Sequence, residues 1–229
     1  SAVRLANHVG YSNAGTMEYL FDPVRNECYF LEMNTRLQVE HTVTEMITGL
    51  DFVREQILIA SGAETEYGHV QVTGHAIQAR ICAEKSDGTY QPSTGTIETY
   101  IEPTGVRIDT GIAQGSIVSG KYDNMLAKLI VHRPTRAEAM QLLANKLGQY
   151  VINGIHTNIP LIIKLLHDTK FINMQHYTRY LQTEFEPPRY DAETAAALAA
   201  ILLYETERNE GLKRYGSLAG YSNTAQAAK

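Results

Sequence analysis

FLEMNTRLQVEH, residues 30–41, places a polar or charged residue at every second position from 32 to 40: Glu32, Asn34, Arg36, Gln38 and Glu40. In an extended chain successive side chains alternate faces, so this spacing predicts one polar row on a strand. Upstream, residues 15–22 read as a second strand, and Asp, Pro and Asn in DPVRN (22–26) mark a turn between the two. A hairpin centred near residue 25 sets Glu18 opposite Glu32. Opposed carboxylates have Cβ atoms about 5 Å apart and destabilise a sheet unless positive charge lies between them. One solution is a divalent cation with hard oxygen ligands, Asn34 adding a third oxygen; Mg²⁺ or Mn²⁺ suits such a set. The other is a solvated strand face on which Arg36 neutralises one acid.

The whole chain has 229 residues, 44% hydrophobic and 20% charged, with room for a sizeable core. A net charge of −5 with no basic run argues against nucleic acid as a partner. The longest apolar stretches, IPLIIKLL and AAALAAILLY, are too short for a bilayer span, so no membrane segment is expected. Two cysteines make neither a disulfide framework nor a metal site; Cys28 and Cys82 read as buried reduced thiols on strands, in a reducing compartment.

Past the polar row, Val43, Met46, Ile47, Leu50, Val53, Ile57 and Leu58 recur at helical spacing and predict one helix over 43–61, ended by Ser61-Gly62. Short strands dominate from 70 to 132. In HAIQARICAE (75–84), Ile77, Ala79, Ile81 and Ala83 share one face, and Gln78, Arg80, Cys82 and Glu84 the other. From 135 the pattern turns helical, with Thr135 and Glu138 spaced as a capping box. Further helices are expected at 157–167, 173–183 and, after Pro187-Pro188, 191–208. Residues 210–229 are rich in Gly, Ser, Asn and Ala and are expected to be poorly ordered.

E-M-N-T-R-L-Q-V-E-H-x-V-T-E resembles the signature of the biotin carboxylases, the ATP-grasp component of biotin-dependent carboxylases. The resemblance continues in order through G-H-A-I-Q-A-R-I-x-A-E (74–84), P-S-T-G-x-I (92–97), G-V-R-x-D (105–109) and Y-D-N-M-L-A-K-L-I (122–130). E-x-N-x-R alone is shared with other ATP-grasp ligases; Q-V-E-H separates the carboxylases from them.

The resemblance implies an α+β fold: the C-terminal part of an ATP-grasp core over 1–65, then the biotin carboxylase C-terminal domain, an antiparallel sheet with helices, over 70–186. A helical extension and a disordered tail are expected over 187–229. It further implies that Glu18, Glu32 and Asn34 ligate the metal, Glu32 and Asn34 also meeting the nucleotide phosphates. Arg36, Gln38 and the Val39 backbone would hold bicarbonate. Glu40 would be its base, and Arg80 would steady the biotin enolate. Implied cofactors are ATP, Mg²⁺ or Mn²⁺, and biotin on a carrier domain. Implied partners are that carrier, a carboxyltransferase subunit, and a second copy through the C-terminal domain, where Arg107 lies in a contact stretch. The implied setting is an acyl-CoA carboxylase of fatty acid metabolism, cytoplasmic, or in the mitochondrial matrix of a eukaryote.

No glycine-rich lid or ATP-binding lysine segment is present, so the chain reads as the C-terminal half of such an enzyme and is expected to be inactive alone. Two other readings compete: a non-catalytic dimerisation or docking module, and a different ATP-grasp ligase. Locally, Arg80 and Glu84 read equally as a surface ion pair, Asp123 as an arginine's partner or a turn residue, and His41 as a hydrogen-bonded structural histidine. Cys82 and Lys85 stand where the family usually has Asn and Asp, and Lys121 where an aromatic or Pro is common.

Overall fold

The computed structural model describes residues 2–65 and 67–189, with Tyr204. A short helix, α1 (Ala2–His8), leads into strands β1 (Thr16–Asp22) and β2 (Glu27–Asn34). They form an antiparallel hairpin whose turn is built by Asp22, its Oδ1 accepting from the N–H groups of Val24 (2.9 Å) and Arg25 (3.2 Å). Glu18 pairs directly with Glu32. A bulge follows, because Tyr19 pairs with Phe30 and leaves Leu31 as the extra residue.

The single helix expected over 43–61 is two. Helix α2 (His41–Thr48) stops at Gly49, whose φ of +75° is left-handed and whose N–H caps the Glu45 carbonyl. Helix α3 (Phe52–Ala60) restarts from Asp51, which accepts from the Arg54 N–H at 2.9 Å. The apolar spacing continues through the break although Val53 and Ile57 of α3 are exposed, and periodicity alone does not register the turn.

The main sheet has the order β3-β8-β6: β3 (His75–Cys82) and β6 (Arg107–Thr110) flank the long β8 (Met125–Arg133), all antiparallel. Around it lie the two-residue strands β4 (Gly95–Thr96) and β7 (Ile117–Val118), paired together, and β5 (Thr99–Ile101), paired with β9 (Val151–Asn153). Helix α4 (Arg136–Gln149) covers one face, opened by the expected Thr135–Glu138 capping box. Its Ala139, Met140, Leu143 and Leu147 bury against Ala79, Ile81, Ala127, Leu129 and Val131. Ile81, Leu129, Leu143 and Leu147 are 1% exposed or less, and full burial of such a side chain contributes about 1.5–3 kcal/mol. The alternation read from HAIQARICAE therefore holds.

Helix α5 (Ile159–Leu166) falls within the expected 157–167. Of the helix expected at 173–183 only the last turn forms, as α7 (Tyr180–Thr183); a separate turn, α6 (Thr169–Ile172), precedes it, and Met174 at φ +57° lies between them. Gly154 turns the chain out of β9; a Cβ there would lie 2.0 Å from the Thr96 carbonyl. The chain divides into two units, residues 1–187 and 188–229. The helix expected at 191–208 and the tail lie outside the described residues, apart from Tyr204.

Candidate active site

The site is set where α2 crosses the second face of the main sheet. Cross-strand partners share a face, so Gln78 and Arg80 of β3, Lys128 and Ile130 of β8, and Arg107 and Asp109 of β6 line it together. Three polar contacts tie the α2 region to that row. Arg80 Nη2 donates to Glu40 Oε2 at 2.6 Å, Thr42 Oγ1 donates to Gln78 Oε1, and Arg107 Nη1 donates to Glu45 Oε2 at 2.7 Å.

Glu45 is 8% exposed, yet its carboxylate is well supplied: Oε1 accepts from the Phe52 N–H at 2.8 Å, and His41 Nε2 lies 3.8 Å from Oε2. A buried charge needs such partners. Arg107 also forks onto Asp109 (2.9 and 3.2 Å), which takes Lys128 Nζ at 3.0 Å. Hydrogen bonds donated to Asp109 and Glu45 outweigh burial and raise the Arg107 pKa. Burial pushes the Asp109 carboxyl up, but bonds from Arg107 and Lys128 prevail and leave it lowered.

The polar row does not run on one strand as expected. Strand β2 ends at Asn34, and residues 35–40 are irregular before α2. Its members still converge. Asn34 Nδ2 donates to Glu18 Oε1 (2.9 Å) and Glu32 Oε1 (3.3 Å), and Gln38 Nε2 reaches Glu18 Oε1 at 3.1 Å. An amide nitrogen thus bridges the opposed carboxylates, where a cation's positive charge would sit. With the Asn34 amide turned over, two carboxylates and one carbonyl oxygen would face that point, a hard donor set that fits Mg²⁺ once phosphates and water complete the shell. Among the described residues no group of three His, Cys, Asp or Glu side chains could hold a metal.

Beside this pair a cavity of about 230 Å³ is walled by Arg36, Gln38, Glu40 and His41. Arg36 is exposed and donates to the Leu37 carbonyl at 3.2 Å, and His41 Nδ1 donates to the Gln38 carbonyl at 2.7 Å, fixing the loop that carries Val39. The cavity has room for a small planar anion, and a guanidinium fork suits one.

Several local readings are corrected. Arg80 pairs with Glu40 rather than Glu84, which accepts from Asn124 at 3.1 Å. Asp123 is a turn residue, accepting from the Met125 N–H at 2.7 Å. Cys28 is exposed, and Cys82 is only partly buried. The sequence reading missed Glu45, since nothing in its spacing marks a buried acid, and so missed that Arg107 is its partner.

Residues 78–183 match the model of the biotin carboxylase C-terminal domain, and residues 1–67 that of the carbamoyl-phosphate synthase L chain, ATP binding domain. Biotin carboxylase 1 of Bacillus subtilis is 43% identical over 187 residues, 80% of this chain. The chain belongs to the biotin carboxylase family. The mitochondrial propionyl-CoA carboxylase alpha chain of Mus musculus is 46% identical over 188 residues, 79% of this chain and 26% of that one. Among solved biotin carboxylases, the domain dimer of the Hydrogenobacter thermophilus 2-oxoglutarate carboxylase, in complex with MgADP, ADP and bicarbonate, matches with a TM-score of 0.76 and 42% identity. That match covers 79% of this chain and 41% of that one. The chain spans about two fifths of Bacillus subtilis biotin carboxylase 1, 42% of its length. No described helix is long and apolar enough to cross a membrane.

Proposed function

We propose that this chain supplies the bicarbonate side and the biotin side of an ATP-dependent biotin carboxylase, a ligase within an acyl-CoA carboxylase. Residues 1–65 would complete an ATP-grasp core, and residues 70–186 would form the C-terminal domain. The observation that carries the reading is the juxtaposition of the Arg36–Gln38–Glu40 cavity with Arg80, across the contact of α2 with the sheet.

In this reading Glu18, Glu32 and Asn34 hold Mg²⁺ or Mn²⁺, Glu32 and Asn34 lying next to the ATP phosphates. The bound metal would offset negative charge on those phosphates. Arg36 clamps bicarbonate with Gln38 and the Val39 backbone, and Glu40 removes its proton, so that the dianion attacks the γ-phosphorus of ATP and ADP leaves. The attack gives carboxyphosphate. As it breaks down, phosphate leaves and takes the proton of the biotin ureido nitrogen, Arg80 holds the negative charge that develops on the ring, and that nitrogen takes up the carboxyl group. The pairing of Arg80 with Glu40 places base and biotin-side cation within one hydrogen bond of each other.

The partners in this reading are a biotin carrier domain, a carboxyltransferase subunit and a second copy meeting through the C-terminal domain. The compartment is the cytoplasm, or the mitochondrial matrix in a eukaryote. The test compares Glu40→Gln and Arg80→Ala in the full-length gene product that carries this sequence. Glu40→Gln is expected to abolish both bicarbonate-dependent ATP cleavage and carboxylation of free biotin. Arg80→Ala is expected to lower biotin carboxylation by a far larger factor than ATP cleavage. Normal ATP cleavage by the Glu40 variant would refute the assignment of the base.

A further inference from the structure

Asn158 immediately precedes α5, where an asparagine side chain ordinarily accepts from the first N–H groups of its own helix. It makes no such bond. Its amide faces β3 instead: Oδ1 accepts from the Cys82 N–H at 2.9 Å, and Nδ2 donates to the Arg80 carbonyl at 3.0 Å. Its own N–H donates to the Cys82 carbonyl at 3.1 Å. Strand β3 is an edge of the main sheet, and residues 80 and 82 turn their backbone groups to the same side. One buried side chain, 8% exposed, therefore does the work of a neighbouring strand.

The place matters. The register between β3 and β8 slips between Ile81 and Cys82, so the ladder on the inner side is irregular where the outer side is held by Asn158. The loop bearing Asn158 is tied down as well. Ser86 Oγ donates to the Thr157 carbonyl at 2.8 Å, and the His156 N–H to Ser93 Oγ at 2.9 Å. Arg80 itself is 48% exposed at its side chain and paired with a Glu40 that is 52% exposed, so the guanidinium is anchored mainly by its root in the backbone.

We infer that Asn158 is a positioning residue for Arg80, fixing the strand from which that arginine reaches biotin. This rests on the functional reading above. Asn158→Asp keeps the acceptor for Cys82 but sets a second oxygen against the Arg80 carbonyl, and Asn158→Ala removes both bonds. In the full-length gene product each is expected to lower the ratio of free-biotin carboxylation to bicarbonate-dependent ATP cleavage by roughly tenfold, since small misplacements of a reacting group cost that much or more. The Cys82 amide should also exchange with solvent much faster. If either variant fails to fold, Asn158→Ser, which retains one hydrogen-bonding group, carries the same test. Equal loss of both activities, in step with a lower melting temperature, would overturn the inference, as would an unchanged ratio beside an Arg80→Ala control that splits the two activities. A wild-type protein with no bicarbonate-dependent ATP cleavage would overturn the functional reading and this inference with it.

Discussion

Burial, reinforced by the charges of Glu84 and Asp123, pushes the Cys82 thiol up to about 11, with Arg80 only partly opposing. The thiolate is the reactive form, so Cys82 should resist alkylation by iodoacetamide at pH 8 while exposed Cys28 is labelled. Peptide mapping by mass spectrometry decides this, and faster labelling of Cys82 would contradict the packing around Arg80. At this scale the sequence was informative where residues repeat in a pattern: Glu18 opposite Glu32 follows from a turn and a period of two. It was silent on Glu45 and Asn158, whose partners lie 62 and 76 to 78 positions away. No local pattern encodes a contact between a helix and a strand not yet placed beside it. Arg80 shows the intermediate case, its face legible from alternation but its partner not, because Glu84 is near in sequence and Glu40 only in space.

Helix α2 has eight residues, too few to be stable alone, and it is held to the sheet through Glu45 and Arg107. Glu45→Ala would leave the Phe52 N–H without its carboxylate and Arg107 with Asp109 alone. The expected cost is about 2 kcal/mol, read as a lower urea midpoint at constant slope; a shift near zero would mean that apolar contacts alone hold α2. The Asp109 carboxyl adds a pH dependence. Its folded-state pKa is lowered, so its contribution is present above the ordinary value of 3.8 and is lost as pH falls below that. The difference in midpoint between wild type and Asp109→Asn should accordingly shrink on going from pH 7 to pH 3. Elements with caps were readable from sequence, as α4 from its capping box. The break at Gly49 was not, because an apolar period survives a turn that left-handed backbone supplies.

Across residues 2–189, stability is distributed unevenly. The β3-β8-β6 sheet is covered on both faces, whereas the hairpin leaves Leu20 66%, Phe21 53%, Phe30 51% and Leu31 65% exposed. Amides at 19–21 and 28–31 are therefore expected to exchange orders of magnitude faster than those at 77–81 and 127–131. Hydrogen exchange read by mass spectrometry tests this, and equal protection would show the hairpin to be as firmly held as the sheet. The α+β class was legible from the run of short strands followed by helices. That the helix following the polar row lies across the later sheet was not, for it joins segments the chain makes at different times. On the ribosome, Glu40 emerges well before β8, the central strand that gives β3 and β6 a common sheet. Until Met125–Arg133 has been made and paired, Glu40 has no arginine held opposite it and α2 has no surface to rest on. Closure of that long loop, a slow event in folding, therefore precedes any assembly of the candidate site, and a nascent chain halted before Arg133 carries Glu40, Arg80 and Arg107 without the sheet that brings them together.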